Sequence, residues 1–344
     1  MTKFLLTLPL VALVAACGGN GSGGNGGATI KIVGSSTVYP FSTAVAEAFM
    51  KANAGSRVIV ESTGTGAGMK LFCAGVGGKF PDAVDASRPM KASEYADCAK
   101  AGAKQIIEVP IGIDGLTLIE NKTSAPLNLT VADIYKALAA NPFGKPNTAQ
   151  TWHDVNPALP ATKIRVLGPP PTSGTRDSLA DLILTKGCET DPAMKELKKS
   201  DEKKQKDICT KIREDGAYVE AGENDNLLVQ KVSGDAGTLG VLGFSYLEAN
   251  QDKVKAVSLA GVSPTEATIA DLSYPGSRKL FVYIKGEHLV AKPKLKDFIA
   301  AYSKMWSTGG VLQKRGLVPF GGSDAAAATA QAAAMKPLDP ATLK

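Results

Sequence analysis

The sequence predicts an α/β fold of two compact units, and three observations carry that expectation. Strand-like and helix-like patterns alternate from Ala28 onward. Their first instance, Ile30 to Val33, Ser42 to Lys51 and Arg57 to Glu61, makes strand, helix and strand within about 30 residues, the span of a parallel βαβ unit. The 344 residues exceed the roughly 100–200 of one domain, and a usage of 44% hydrophobic and 21% charged residues is ordinary for a globular chain. Bulk disorder and a multispanning membrane protein are both excluded.

The elements follow in chain order. Lys3 and the apolar run Phe4 to Val14 form a leader too short for a bilayer, which takes about 20 residues. Val14-Ala15-Ala16-Cys17 looks like a bacterial lipobox, so residues 1–16 are expected to be a lipoprotein signal peptide and Cys17 the lipidated residue. Gly18 to Gly27 has the composition of a flexible tether, giving a lipidated cysteine and tether over 17–28. After the βαβ unit, strands are predicted at Gln105 to Pro110, Leu116 to Glu120, Lys163 to Leu167, Leu239 to Phe244 and Leu280 to Ile284. Helices are predicted at Val131 to Ala140, Asp177 to Lys186 and Lys294 to Thr308. The charged stretch Lys195 to Asp215 reads as a solvated helical face, and Ala325 to Ala334 as a terminal helix or frayed tail.

With Cys17 set aside, Cys73, Cys98, Cys188 and Cys209 are an even set in an exported chain, where disulfides persist. Of the three pairings, Cys73 with Cys98 and Cys188 with Cys209 are favoured because each closes a local loop. A metal site is the alternative, against which no pair has the C-x-x-C spacing. No cofactor or metal is called for. A formal net charge of +6 with 6% aromatic residues is too slight and too scattered for nucleic-acid binding, and leaves small anions as candidates.

Three hydroxyl-rich turns each lie between a candidate strand and a candidate helix. They are Gly34-Ser35-Ser36-Thr37-Val38-Tyr39-Pro40, Glu61 to Lys70 (ESTGTGAGMK) and Gly168 to Asp177 (GPPPTSGTRD). At such a junction the first helical N–H groups lack partners and the dipole is positive, which suits an anion. The second turn has neither the P-loop nor the dinucleotide order of glycines, so a nucleotide is not indicated. In the third, Gly174 permits close approach and Arg176 offers a planar fork of donors. Asp85-Ala86-Ser87-Arg88-Pro89 adds a second arginine. Together these are the donors that a dehydrated oxyanion needs.

GSSTVYPF at Gly34 to Phe41, DASRP at Asp85 to Pro89 and TSGTRD at Thr172 to Asp177, with the lipobox, resemble the phosphate-binding proteins of the high-affinity phosphate ABC transporter, the PstS family. The similarity runs from about Thr29 to about Leu317 and includes GTLGVLGFSY at Gly237 to Tyr246. It implies a type II periplasmic-binding-protein fold, with two lobes joined by two hinge strands near Ile111 to Leu116 and Tyr274 to Leu280. Lobe 1 would span 29–112 and 278–344, and lobe 2 would span 113–277. The implied ligand set is Ser36, Thr37 and the Val38 N–H, Thr63 or Thr65, Arg88, and Ser173, Gly174, Thr175 and Arg176. Pro169 stands where some relatives carry an arginine, so Arg88 and Arg176 are expected to supply the positive charge. Asp114 is the first candidate to accept the proton that phosphate keeps and sulfate lacks, and Asp85 the second.

The resemblance implies a monomeric, lipid-anchored protein of the periplasm. It would bind inorganic phosphate between its lobes and hand it to the permease subunits of an importer driven by a cytoplasmic ATPase. Other oxyanions (sulfate, arsenate, phosphonate) are the alternative ligands. An exported phosphatase is disfavoured, because the only histidines, His153 and His288, lie outside H-E-x-x-H, no G-x-S-x-G is present, and both histidines are expected at the surface.

Overall fold

In the computed structural model, residues 29–343 other than 172 and 223 are described. The expected leader, Cys17 and the tether lie outside them. Eleven strands occur among the described residues: β1 Ile30–Gly34, β2 Val58–Ser62, β3 Ala83–Ala86, β4 Ile106–Asn121, β5 Asn128–Leu129, β6 Val166–Gly168, β7 Tyr218–Glu220, β8 Leu239–Gly243, β9 Val254–Ala256, β10 Ser258–Leu259 and β11 Ser277–Lys285. Hydrogen bonding runs in the order β2-β1-β3-β11-β4-β8-β6-β7, with β9 also on β4 and with β10 and β5 as a separate pair.

The first predicted unit is present. Strands β1 and β2 are parallel, and between them helix α1 covers Tyr39–Ala52. Pro40 suits the first helical turn, where its missing N–H costs nothing. Phe41, Val45 and Phe49 recur at the i, i+4 spacing of one buried face, and Phe49 meets Phe298 of the Lys294–Met305 helix edge to face at 5.6 Å. Each buried phenylalanine contributes about 1.5–3 kcal/mol.

Strand β4 joins the two halves of the sheet. The predicted strands at 105–110 and 116–120 are one strand of 16 residues. Its first part pairs with β11, which also pairs with β3. Its last part pairs with β8 and β9. A register shift between Leu280 and Phe281 absorbs the irregular Pro110–Gly112 segment, so the chain stays extended where the sequence suggested an interruption. The result is the two-lobed α/β architecture that the sequence implies, with β4 paired in both halves and β11 beside its first part.

Other expectations need adjustment. The strand predicted at 163–167 lies at Val166–Gly168, and the helical run predicted at 177–186 extends from Gly174 to Cys188 with a wider, π-type stretch at Leu179–Leu184. His288 is buried, not superficial, because Gly77 donates its N–H to Nε2 at 2.8 Å and Nδ1 lies 2.6 Å from Asp82 Oδ1. The 195–215 stretch forms the mostly exposed helices Pro192–Ser200 and Glu202–Thr210, and Gly322–Ala334 is a helix. Both favoured disulfides, Cys73–Cys98 and Cys188–Cys209, are formed. Among the described residues no cluster of three His, Cys, Asp or Glu could hold a metal, and no helix is long and apolar enough to cross a membrane.

Candidate anion-binding site

Strand β1 ends at Gly34, whose φ of +136° and contact with the Asp85 backbone admit no side chain. The Ser35 N–H then donates to Asp85 O at 2.9 Å, and Ser36, Thr37 and Val38 turn the chain into α1. In the other lobe, β6 leads to Ser173, which caps the helix beginning at Gly174 by accepting the Thr175 N–H at 3.2 Å.

These two turns touch. Thr37 Oγ1 donates to Gly174 O at 3.0 Å, and Ser36 Oγ donates to Asp177 Oδ2. A Cβ built on Gly174 would stand 2.6 Å from Thr37 Cα, so only glycine allows this approach. Both helices therefore begin at the junction.

A cation from β11 fills the angle between the turns. Arg278 of β11 is 8% exposed, and its Nη2 donates to Thr37 Oγ1 at 2.9 Å and to Ser178 Oγ at 2.6 Å. Nε donates to Asp114 Oδ2 at 3.2 Å and Nη1 to Asp181 Oδ2 at 3.1 Å. Ser178 Oγ also donates to Asp114 Oδ2 at 2.7 Å. The planar fork is thus fixed in orientation by four side chains from three chain segments, which a lysine could not reproduce.

The second turn lies against the first. The Thr63 and Gly64 N–H groups both donate to Gly34 O at 2.8 Å. Helix α2, Thr65–Phe72, begins at Thr65, whose Oγ1 accepts the Ser87 N–H at 3.2 Å and lies 3.0 Å from Ser87 Oγ. Ser36, Thr37, Val38, Thr63, Thr65, Ser173, Gly174, Thr175 and Asp114 are therefore all on the turns and strand around this junction. The Val38 N–H faces Ser35 Oγ at 3.4 Å.

The two arginines singled out from sequence are otherwise engaged. Arg88 clasps Glu94 through both terminal nitrogens, at 2.9 and 2.6 Å. Arg176 donates to Pro169 O at 3.1 Å and stacks 4.5 Å from the Tyr218 ring centroid, with Glu220 at 3.8 Å. Burial pushes the Tyr218 hydroxyl up to about 12. Asp85 sits behind the first turn, 1% exposed, accepting from Ser42 Oγ at 2.8 Å, and burial raises its carboxyl to about 8.

Sequence reasoning did not find Arg278, Ser178, Asp177 or Asp181. Ser178 had a signal, since it lies four residues beyond Gly174 on the same helical face. Arg278 had a weaker one, its place in the expected crossing segment. Two surface hollows, one lined by Glu108, Lys279, Asp324 and Gln331 and one between α1 and the Lys294–Met305 helix, do not reach these turns.

Comparison with known proteins supplies the family. Residues 20–302 match the model of a PBP superfamily domain. Protein SphX of Synechococcus elongatus is 33% identical over 305 residues, covering 86% of this chain and 79% of that protein. The phosphate-binding protein PstS of Staphylococcus saprophyticus is 31% identical over 294 residues, covering 83% and 80%. Among solved structures, a possible phosphate binding protein from Planctomyces limnophilus aligns with a TM-score of 0.72 at 30% identity, over 90% of this chain and 99% of that one.

Proposed function

The chain belongs to the PBP superfamily and groups there with SphX and the PstS phosphate-binding proteins, and from that membership we propose that it binds inorganic phosphate between its lobes and delivers it to an ABC importer. The observation that carries the reading is the contact of Thr37 with Gly174 beside Arg278, which brings two helix N-termini, hydroxyls and one oriented guanidinium to a single point. Such charge-assisted donors suit a tetrahedral oxyanion.

In this reading Ser36, Thr37 and the Val38 N–H bind from lobe 1, Ser173, Gly174 and Thr175 from lobe 2, and Thr65 from the second turn. Arg278 carries the positive charge, and Arg88 and Arg176 shape the turns that hold the ligand. The lobes divide at 29–112 with 278–344 against 113–277. Asp114 and Asp177 are the acceptors for the proton of phosphate. Sulfate offers no proton, so it would meet their lone pairs unrelieved, a penalty of about 1–3 kcal/mol or more.

The ligand touches both lobes, so its binding stabilises the closed form by the difference in its affinity for the two forms. Its relatives bear the names of binding proteins, and the chain is read as a carrier without turnover. Its partners are the permease subunits with their ATPase. It works as a monomer in the periplasm, anchored in the cell envelope through lipid on Cys17.

Calorimetric titration of protein stripped by partial unfolding tests this reading. Tight binding of phosphate with weak or absent binding of sulfate is expected. Binding of sulfate alone, or hydrolysis of a phosphate ester, would overturn it.

A further inference from the structure

Outside the junction, an ion pair also links the two lobes. Lys91 Nζ lies 2.6 Å from Glu202 Oε1, joining residues 111 positions apart in sequence and carried by opposite lobes. Lys91 follows Ser87-Arg88-Pro89-Met90 and precedes helix α3, Ala92–Lys100. Its N–H donates at 2.9 Å to Glu94, the carboxylate that also clasps Arg88. Glu202 opens the Glu202–Thr210 helix, and the hydrogen bond from Lys91 holds its carboxyl below the ordinary range.

The two disulfides give this ion pair its mechanical connection. In lobe 1, α2 begins at Thr65 beside the junction and is capped at its far end by Cys73, while α3 begins next to Lys91 and carries Cys98 near its far end. In lobe 2, the helical run that begins at Gly174 ends at Cys188, while the helix that begins at Glu202 carries Cys209 near its end. Each disulfide therefore cross-links a helix whose start bears a ligand turn to a helix whose start bears one half of the ion pair. A pull between Lys91 and Glu202 is passed to both ligand turns through two stiffened helix pairs.

We propose that Lys91 and Glu202 are positioning residues that form a latch across the mouth of the cleft and set how fast phosphate leaves, without touching the ligand. This inference rests on phosphate binding with lobe closure as read above. Both side chains are partly exposed, 43% and 61%, so the pair is of the weak, screened kind, typically ~0.2–1 kcal/mol. That corresponds to a change of up to about 5-fold in rate.

The test is stopped-flow release of phosphate, captured by an excess of a second phosphate-binding reporter, from the full mature chain. Lys91→Met and Glu202→Gln should each speed release about 2- to 5-fold at low salt, and the double variant no more than either single. The reversed pair, Lys91→Glu with Glu202→Lys, should restore slow release, and 1 M salt should erase the difference from wild type. Unfolding midpoints should stay level across the set, which separates a latch from a structural role. Single variants that release at the wild-type rate, or effects that multiply in the double variant, would overturn the latch. A wild-type protein that takes up no phosphate would instead overturn the underlying reading, so the two failures are distinct.

Discussion

Gly174 and Thr37 belong to different lobes, yet the carbonyl of one accepts the hydroxyl of the other at 3.0 Å and their backbones leave no room for a methyl group. The contact lies where both ligand turns end and both helices start. It makes a single atom on residue 174 a test of whether closure and binding are the same event.

Gly174→Ala should therefore keep the lobes apart. Its Cβ would meet Thr37 Cα at 2.6 Å, and overpacking of this kind costs about 1–3 kcal/mol. Phosphate affinity should fall about 10- to 100-fold in calorimetry, and small-angle scattering should show less compaction on adding phosphate. Unchanged compaction with unchanged affinity would remove Gly174 from the closing surface.

Arg278→Ala should weaken phosphate binding more than Arg88→Ala. Truncating Arg278 leaves Asp114 and Asp181 without their cation and removes two donors from the junction, a loss of the 2–5 kcal/mol kind, or at least about 30-fold in affinity. Arg278→Lys should recover little of it, because an ammonium cannot replace the fork. Arg88 spends its fork on Glu94 and is one-third exposed, so its loss should cost less than about 5-fold. The reverse ranking in titration would return the ligand role to Arg88.

Stability should depend on pH through Asp85. Its carboxyl titrates at about 8 when folded, against about 3.9 in an unfolded chain, so between these values the folded protein keeps a proton that the unfolded chain has released. Stability contributed by this group falls as pH rises through that window and levels off above it. Asp85→Asn keeps the shape and the partner Ser42 but cannot ionise. Urea midpoints of wild type should drop from pH 5 to pH 8 relative to the variant, and parallel curves would contradict the assignment.

Paired Cys188→Ser and Cys209→Ser substitution opens a loop of 21 residues and should lower stability by about 3 kcal/mol in chemical denaturation. A loss near zero would mean that the packing of these helices is enough without the bond.

Much of the fold could be read from local patterns, and the exceptions have physical causes. The β1-α1-β2 unit announces itself because alternating and i, i+4 apolar spacing are undisturbed there. The sequence pattern divides β4 because Pro110, Gly112 and Gly115 look like punctuation, whereas pairing of its first part with β11 and of its last part with β8 keeps the backbone extended. β3 is four residues buried throughout, too short for alternation to register. Around the junction, the hydroxyl turns were legible because three strand-to-helix corners rich in Ser, Thr and Gly occur together, although each alone more often only caps its helix. Arg278 was not, because a lone arginine in a strand is defined only by what folding brings to it. Arg88 and Arg176 adjoin those turns in sequence, and folding pairs the first with Glu94 and lays the second over Tyr218.

The most direct measurement is a high-resolution structure of the protein grown with phosphate and free of sulfate. The account predicts one tetrahedral anion that accepts hydrogen bonds from Ser36 or Thr37 on one lobe and from Gly174 or Thr175 on the other, with Arg278 beside it. Phosphate held by a single lobe, or bound elsewhere with Thr37 and Gly174 still in contact, would contradict it.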